Sequence, residues 1–257
     1  MAKRRNSSRR RRRGSFGFLY KLLSMLIICG AIVAALTLFF RVETILVVGQ
    51  QRYTEQQVRD ATGIQTGDNL YLMNKNDVAT HIVETLPYIE SIRINRKLPD
   101  TLLVEVTECG TPMALMQDGS AWLISPNGKI VDHMESELAT DYGMISGCRV
   151  PAPTVGTPLE LVTEEQSKES SLLSLLKELE AAGMLEDVQG IRMEELDYLA
   201  MDYMDRFTVR LPYEADYAYK LRFLRAVIED EKIQDNMSGT FDMCAEDGRT
   251  NFIQNVR

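Results

Sequence analysis

Residues 92–108 read IRINRKLPDTLLVEVTE, and this stretch has the most specific pattern in the chain. Apolar and polar residues alternate before Leu98-Pro99-Asp100. After these three residues, Leu102, Val104 and Val106 fall on one side of an extended chain. Proline and aspartate between two alternating runs are typical of a turn. The stretch therefore predicts a β-hairpin.

The residues before this hairpin predict one strand and two helices. Val42–Val48 is rich in β-branched residues, and Thr54-Glu55-Gln56-Gln57 has the form of a capping box at a helix start. Asn76 or Asp77 is expected to cap a second helix, which Pro87 ends. The predicted order is β-α-α-β-β.

An uncharged apolar stretch, Leu22–Phe40, precedes these elements. At about 1.5 Å per residue its length is about 28 Å, close to the ~30 Å hydrocarbon core of a bilayer. A buried core helix is the first alternative, but it would normally show a polar face. A cleavable signal peptide is the second, but its apolar region is usually shorter. We expect an uncleaved transmembrane helix over residues 22–40.

Charge divides the chain at this helix. The sequence carries 29 Lys+Arg and 37 Asp+Glu, and residues 1–41 contain ten of the basic residues and no acidic one. Residues 42–257 therefore hold 19 basic and 37 acidic residues, a formal charge of −18. Because basic flanks stay in the cytoplasm, we expect residues 1–21 to form a disordered cytoplasmic tail that also attracts anionic lipids. The tail lacks a folded nucleic-acid-binding module around it, so no nucleic acid partner is expected.

The sequence after the hairpin predicts a second domain. Residues 114–132 contain three short alternating runs separated by Asp118-Gly119 and Asn127-Gly128, which is typical of a β-meander. A helix is expected after a cap at Thr163, and strands around 191–193, 196–201 and 207–211 follow. A second helix over 214–230 and two strands, 239–243 and 249–256, complete the chain. The fold class is therefore α+β.

Together these motifs resemble a known family. Ile45–Gly49, Leu86–Ile94 and Arg96–Glu108 are similar to the opening strand, the hairpin entry and the hairpin of the FtsQ-type POTRA domain found in the bacterial division proteins FtsQ and DivIB. The later order of helices and strands is similar to the distal domain of that family. The resemblance implies a basic tail (1–21), a transmembrane helix (22–40), a POTRA domain (41–108) and a distal mixed β-sheet domain with two flanking helices (109–257).

The resemblance also implies a function. Proteins of this family are non-enzymatic, single-pass scaffolds of the divisome, with the N-terminus in the cytoplasm and the bulk of the chain outside it at the septum. The expected partners are FtsB/DivIC-like and FtsL-like membrane proteins, bound by strand addition at the terminal sheet edge, with other divisome components bound by the POTRA domain. Carried onto this sequence, the partner-binding residues are Thr240, Phe241, Asp242, Met243, Cys244, Arg249, Asn251, Phe252, Ile253 and Gln254.

Two other functions are alternatives to this one: a POTRA-containing export or envelope-assembly factor, and a membrane-anchored envelope hydrolase. The first would need repeated POTRA units or a β-barrel, and no repeat of 42–108 is present. The second would need a catalytic set, but the only histidines are His81 and His133, and no nucleophile or metal motif accompanies them. No catalytic residue, metal or cofactor is expected. Cys109, Cys148 and Cys244 are compatible with one disulfide and a free thiol, or with three unpaired thiols.

Overall fold

A long apolar helix leads almost directly into a small sheet. The computed structural model describes residues 16–162, 165–230, 233–234, 236–245 and 250–255. Helix α1 (Phe16–Phe39) begins six residues before the expected start at Leu22. Its stretch Gly17–Phe39 has a mean hydropathy of 2.6 over the most apolar window, of which none is buried against the rest of the protein. These properties are consistent with a membrane anchor. The expected basic tail lies mostly outside the described residues.

The first domain has the expected β-α-α-β-β order. It contains β1 (Thr44–Val48), α2 (Glu55–Ala61), α3 (Lys75–Thr85), β2 (Ile89–Lys97) and β3 (Thr101–Glu108). The strands form a three-stranded sheet in the order β1-β3-β2, in which β1 and β3 are parallel and β2 and β3 antiparallel. The two helices cover one face of this sheet, and Val58, Ile82, Leu102 and Val104 are fully buried between them.

The helix starts of this domain partly match their predictions. The capping box is confirmed, since the Thr54 hydroxyl accepts from the Gln57 amide and the Gln57 side chain accepts from the Thr54 amide. The cap expected at Asn76 or Asp77 is wrong. Asn74 caps α3, and its side chain accepts from the Asn76 amide. Three possible capping residues lie close together here, and a sequence pattern does not distinguish which one leaves the helical conformation.

The second domain is built on a single nine-stranded sheet. Its strands are ordered β12-β11-β10-β9-β8-β7-β4-β5-β6. The meander is confirmed as β4 (Met113–Gln117), β5 (Ser120–Ile124) and β6 (Ile130–Glu135). A strand that sequence reasoning missed, β7 (Met144–Ser146), joins it to the second half through parallel pairing with β4 and β8. The second half comprises β8 (Val188–Arg192), β9 (Tyr198–Tyr203), β10 (Phe207–Pro212), β11 (Gly239–Asp242) and β12 (Asn251–Gln254).

Two helices cover one face of this sheet. Helix α4 (Gln166–Ala181) and helix α5 (Tyr217–Ile228) bury their apolar sides on the strands, with Leu172, Leu176 and Leu224 completely enclosed. The periodicity that predicted both helices is thereby explained by burial. The expected cap at Thr163 lies outside the described residues. The α+β class is confirmed.

The first domain packs on the opposite face of the sheet, over β4, β5 and β6. Tyr88, immediately before β2, is buried against Ala114, Leu123 and Val131. Its hydroxyl donates to Asp132 Oδ2 at 2.9 Å, and burial, followed by this hydrogen bond, raises the pKa of Tyr88. The sheet is therefore enclosed on both faces at its β4–β6 end.

Further polar contacts fix the two domains to each other. The Lys129 ammonium donates to the carbonyl of Val83 at 3.2 Å, and Asn127 donates to the Glu90 carboxylate. Within the first domain, the Arg52 guanidinium lies 3.9 Å from the centre of the Tyr88 ring and so supports the residue that packs on the second domain. The two polar contacts between the domains accompany the apolar patch around Tyr88, so the domains share an interface that is both apolar and polar.

Replacing Tyr88 by Phe is expected to lower the free energy of unfolding by about 1–2 kcal/mol, because the bond to a carboxylate is lost while the packing is kept. The measurement is denaturant unfolding of the full chain in nanodiscs, followed by Trp122 fluorescence. Tyr219→Phe, at an exposed tyrosine on α5, is the matched control and should change little. An equal loss in both variants would show that the Tyr88–Asp132 bond does not hold the domains together.

Candidate functional site

The sheet ends at β12, and this end contains most of the residues predicted to bind a partner. Strand β11 lies between β10, to which it is parallel, and β12, to which it is antiparallel. The Gly239 amide donates to the carbonyl of Arg206, just before β10, and the Met243 amide donates to the carbonyl of Arg210 in β10. Thr240 and Asp242 pair instead with Ile253 and Asn251 on β12. Both edges of β11 are thus occupied, and at this end of the sheet the outer edge belongs to β12.

The alternation of an antiparallel ladder determines which groups of β12 point outward. The Asn255 amide donates to the Ser238 carbonyl at 2.9 Å, so this pair is hydrogen-bonded. Hydrogen-bonded pairs recur every second residue. Ile253 and Asn251 therefore bond inward to β11, whereas the backbone N–H and C=O of Phe252 and Gln254 point away from the sheet. Within the described residues no strand pairs with this outer side.

An aromatic cluster holds β12 in place. The Phe252 ring lies 4.7 Å from the Phe241 ring and 6.3 Å from the Phe207 ring, measured between centroids. Phe241 is completely buried and Phe252 is half-buried. The neighbouring Ile253 side chain points the other way and is 57% exposed. The strand therefore has one anchored face and one face open to solvent.

The face of the sheet beside this edge is polar. The Arg210 guanidinium lies 3.8 Å from the Asp242 carboxylate, and Thr208 donates to Asp202 at 2.9 Å. On the helix side, the Lys220 ammonium of α5 donates to the Met243 carbonyl at 2.7 Å. This last bond links α5 to the end of β11. A partner strand at β12 would therefore meet an edge flanked by charges of both signs.

The structure brings together most of the predicted partner-binding residues, but they differ in access. Thr240, Phe241 and Asp242 form β11, Met243 is buried just beyond it, and Cys244 is half-buried. Asn251, Phe252, Ile253 and Gln254 form β12. Arg249 lies outside the described residues. The prediction from sequence gave both strands the same binding role. Only their order in the sheet shows that β11 is covered and that β12 is the edge strand.

The two histidines do not form a shared site. His81 lies on α3 and its Nδ1 is 3.2 Å from the Thr85 hydroxyl, while His133 lies on β6 and stacks on Trp122 with ring centroids 4.2 Å apart. Across the described residues, no group of three His, Cys, Asp or Glu side chains is placed to bind a metal ion. All four cysteines are free thiols in the structure.

Comparison with known proteins agrees with this architecture. Residues 40–108 match the family model of the POTRA domain, FtsQ-type, and residues 114–243 match that of cell division protein FtsQ/DivIB, C-terminal. The chain is 30% identical over 130 residues to cell division protein DivIB of Clostridium botulinum (strain Hall), which covers 51% of this chain and 50% of that protein.

Two relatives called cell division protein FtsQ extend the comparison. The one from Corynebacterium glutamicum is 33% identical over 98 residues, covering 38% of this chain and 44% of the relative. The one from Syntrophotalea carbinolica is 25% identical over 197 residues, covering 76% and 67%. The chain spans about half the length of the Clostridium and Corynebacterium proteins.

Replacing Phe252 by Ala is expected to release β12, because the strand loses its contacts with Phe207 and Phe241. Partial burial of this ring predicts a cost of about 1–3 kcal/mol, less than for a fully buried phenylalanine. Amide hydrogen exchange of the segment 250–255 should rise. Ile253→Ala removes an exposed side chain from the same strand and should leave exchange unchanged. Equal exchange in both variants would contradict the anchoring role of Phe252.

The thiol of Cys244 should react slowly at neutral pH. Burial, followed by the nearby Asp242 carboxylate, raises its pKa to about 11, and burial raises that of Cys148 to about 12. Only the thiolate is nucleophilic, so labelling in the folded protein should rise about tenfold per pH unit beyond the ordinary thiol pKa of about 8.5. Mass spectrometry of alkylated peptides measures the rate at each cysteine. In denaturant the rates should level off near pH 8.5, and the same plateau in the folded protein would refute the raised values.

Proposed function

Because the chain belongs to the FtsQ/DivIB family of cell division proteins, we propose that it is a non-enzymatic scaffold that binds other division proteins through the outer edge of β12. In this proposal α1 spans the cytoplasmic membrane once, with the N-terminus in the cytoplasm and the two domains outside it at the septum. The observation on which the binding proposal rests is the edge formed by the backbone of Phe252 and Gln254, with which no strand of the described residues pairs.

Strand addition is the interaction that this edge favours. Each outward N–H and C=O of β12 is a hydrogen-bonding group that a partner strand would satisfy. The anchored Phe252 ring keeps the strand in register, so the edge is preformed rather than assembled on binding. The proposed partners are the FtsB/DivIC-like and FtsL-like membrane proteins, and α5, linked to β11 by Lys220, offers a neighbouring surface.

The absence of catalysis is likewise part of the proposal. His81 and His133 lie in different domains and are engaged by Thr85 and Trp122. Two acidic side chains near β12 are paired, Asp242 with the Arg210 guanidinium and Asp202 with the Thr208 hydroxyl. The paired acidic side chains and the separated histidines favour a binding surface. No comparable feature of the described residues favours an export factor or an envelope hydrolase.

A proline at position 254 tests the edge directly. Proline lacks an N–H and is tolerated on edge strands where that N–H faces solvent. Gln254→Pro should therefore leave the β11–β12 ladder intact and abolish capture of the FtsB/DivIC-like partner by the full chain. The measurement is co-purification after co-expression of both proteins in one membrane.

Two further variants control for side-chain and folding effects. Gln254→Ala removes the same side chain but keeps the N–H, and it should capture the partner normally. Ile253→Pro removes an inward N–H and should release β12 itself, which exchange of the 250–255 amides would detect. Undiminished capture by Gln254→Pro, with β12 still protected, would rule out strand addition at this edge.

A further inference from the structure

The connection between α1 and the first domain leaves almost no freedom between them. Helix α1 ends at Phe39, and Val42 is already buried in the core of the first domain at 1% exposure. The Val42 amide donates to the Asp68 carbonyl at 2.8 Å, and the Gly67 amide donates to the Val42 carbonyl at 2.8 Å. The loop that contains residues 67 and 68 is therefore held at the end of the helix.

A turn formed by residues 69–72, here called the 69–72 turn, lies beside the last turn of α1. The Asn69 side-chain nitrogen donates to the carbonyls of Leu36 at 3.0 Å and Thr37 at 3.5 Å. Its oxygen accepts from the amides of Tyr71 at 2.8 Å and Leu72 at 3.1 Å. The last carbonyls of a helix have no partner within the helix, and leaving them bare is most costly in lipid. Asn69 supplies two of these partners.

This geometry fixes the depth of the turn. Leu36 is within the apolar stretch Gly17–Phe39, about one helical turn before its end. A side chain that bonds to the Leu36 carbonyl lies at nearly the same height along the membrane normal. The Tyr71 ring also packs edge-on against Phe40, with centroids 5.0 Å apart. If α1 spans the membrane, the 69–72 turn lies at the boundary between hydrocarbon and headgroups.

Three large side chains exposed at this level are apolar or amphipathic. Leu72 is 77% exposed and Tyr71 is 46% exposed. Leu98, on the turn between β2 and β3, is 54% exposed. Strand β3 is parallel to β1, which begins just after the helix, so this second turn also lies at the membrane end of the domain. The Glu43 amide donates to the Asp100 carbonyl at 2.8 Å, which holds the turn there.

We infer that the 69–72 turn and Leu98 insert into the interface of the bilayer that α1 spans, so that the first domain rests on the membrane. Leucine side chains at this depth contact acyl chains, and an amphipathic tyrosine ring suits the headgroup level. Insertion of roughly 5–10 Å is typical of such interfacial contacts. The exposed charged residues next to these two turns have both signs, Arg41 and Lys97 as well as Glu43 and Asp68, so we expect the contact not to depend on anionic lipid.

Fluorescence quenching by brominated lipids tests this inference. The full chain with Leu72→Trp is reconstituted into nanodiscs containing brominated acyl chains, and its emission is compared with that of the same chain in unbrominated nanodiscs. Leu196→Trp, at a leucine that is 84% exposed in the second domain, is the matched control. Trp122 contributes the same background to both. We expect a blue-shifted emission and a loss of intensity for Leu72→Trp but not for Leu196→Trp, and equal quenching of these two variants would overturn the inference.

Two further arms separate the possible causes of failure. Leu26→Trp, in the middle of α1, must be quenched if the helix spans the bilayer, so quenching there without quenching at position 72 refutes interfacial docking while the anchor stands. Leu98→Trp should be quenched like Leu72→Trp. Quenching should be equal in phosphatidylcholine and in phosphatidylglycerol, and quenching confined to the anionic lipid would overturn apolar insertion. Partner capture at β12 does not enter any of these readouts, so the two proposals fail independently.

Discussion

The constraint on which the rest of the structure depends is the shortness of the chain between α1 and the first buried residue of the POTRA domain. Only Phe40 and Arg41 lie between the end of the helix and Val42. Asn69 and Tyr71 then bind the helix end from the side, through its carbonyls and through Phe40. A domain attached in this way has little freedom to tilt, because each motion of the helix would break contacts in the domain itself.

The second constraint is the interface between the two domains. Tyr88 and its bond to Asp132 lie over β4, β5 and β6, where the large sheet is buried on both faces. The opposite end of that sheet is β12. Strands lie about 4.8 Å apart, so β6 and β12 are separated by about 38 Å across the sheet. The POTRA domain is thus fixed at one end of the sheet, and the open edge is presented at the other.

Sequence patterns predicted most helices and strands, because burial of one face of an element makes its apolar residues recur at a regular spacing. The hairpin at 92–108, the meander and the two amphipathic helices of the second domain all follow from alternation or helical spacing. Strand β7 was missed because three residues are too few to show a period, although it joins the two halves of the sheet. Family resemblance supplied the candidate site, since no spacing of residues at 240–254 indicates a partner. The difference between β11 and β12 depends on strand order, a long-range property that local sequence does not contain.

The size of the exposed edge explains why the anchor and the rigid interface matter for the proposed function. Phe252 and Gln254 offer four outward backbone groups, and each hydrogen bond contributes about 1 kcal/mol net. The total from these hydrogen bonds is well below the binding free energy of about 8 kcal/mol that corresponds to micromolar affinity in solution. The proposed partners, held in the same membrane, would meet the edge at a high effective concentration, which would compensate for a small contact. This compensation requires that the edge be held at a defined height above the membrane. The Asn69 contacts and the Tyr88 interface hold it there, because they fix the helix to the first domain and the first domain to the sheet. A short edge strand with charges beside it also resists unwanted pairing, since no single contact there is strong enough to hold a chain that is free in solution.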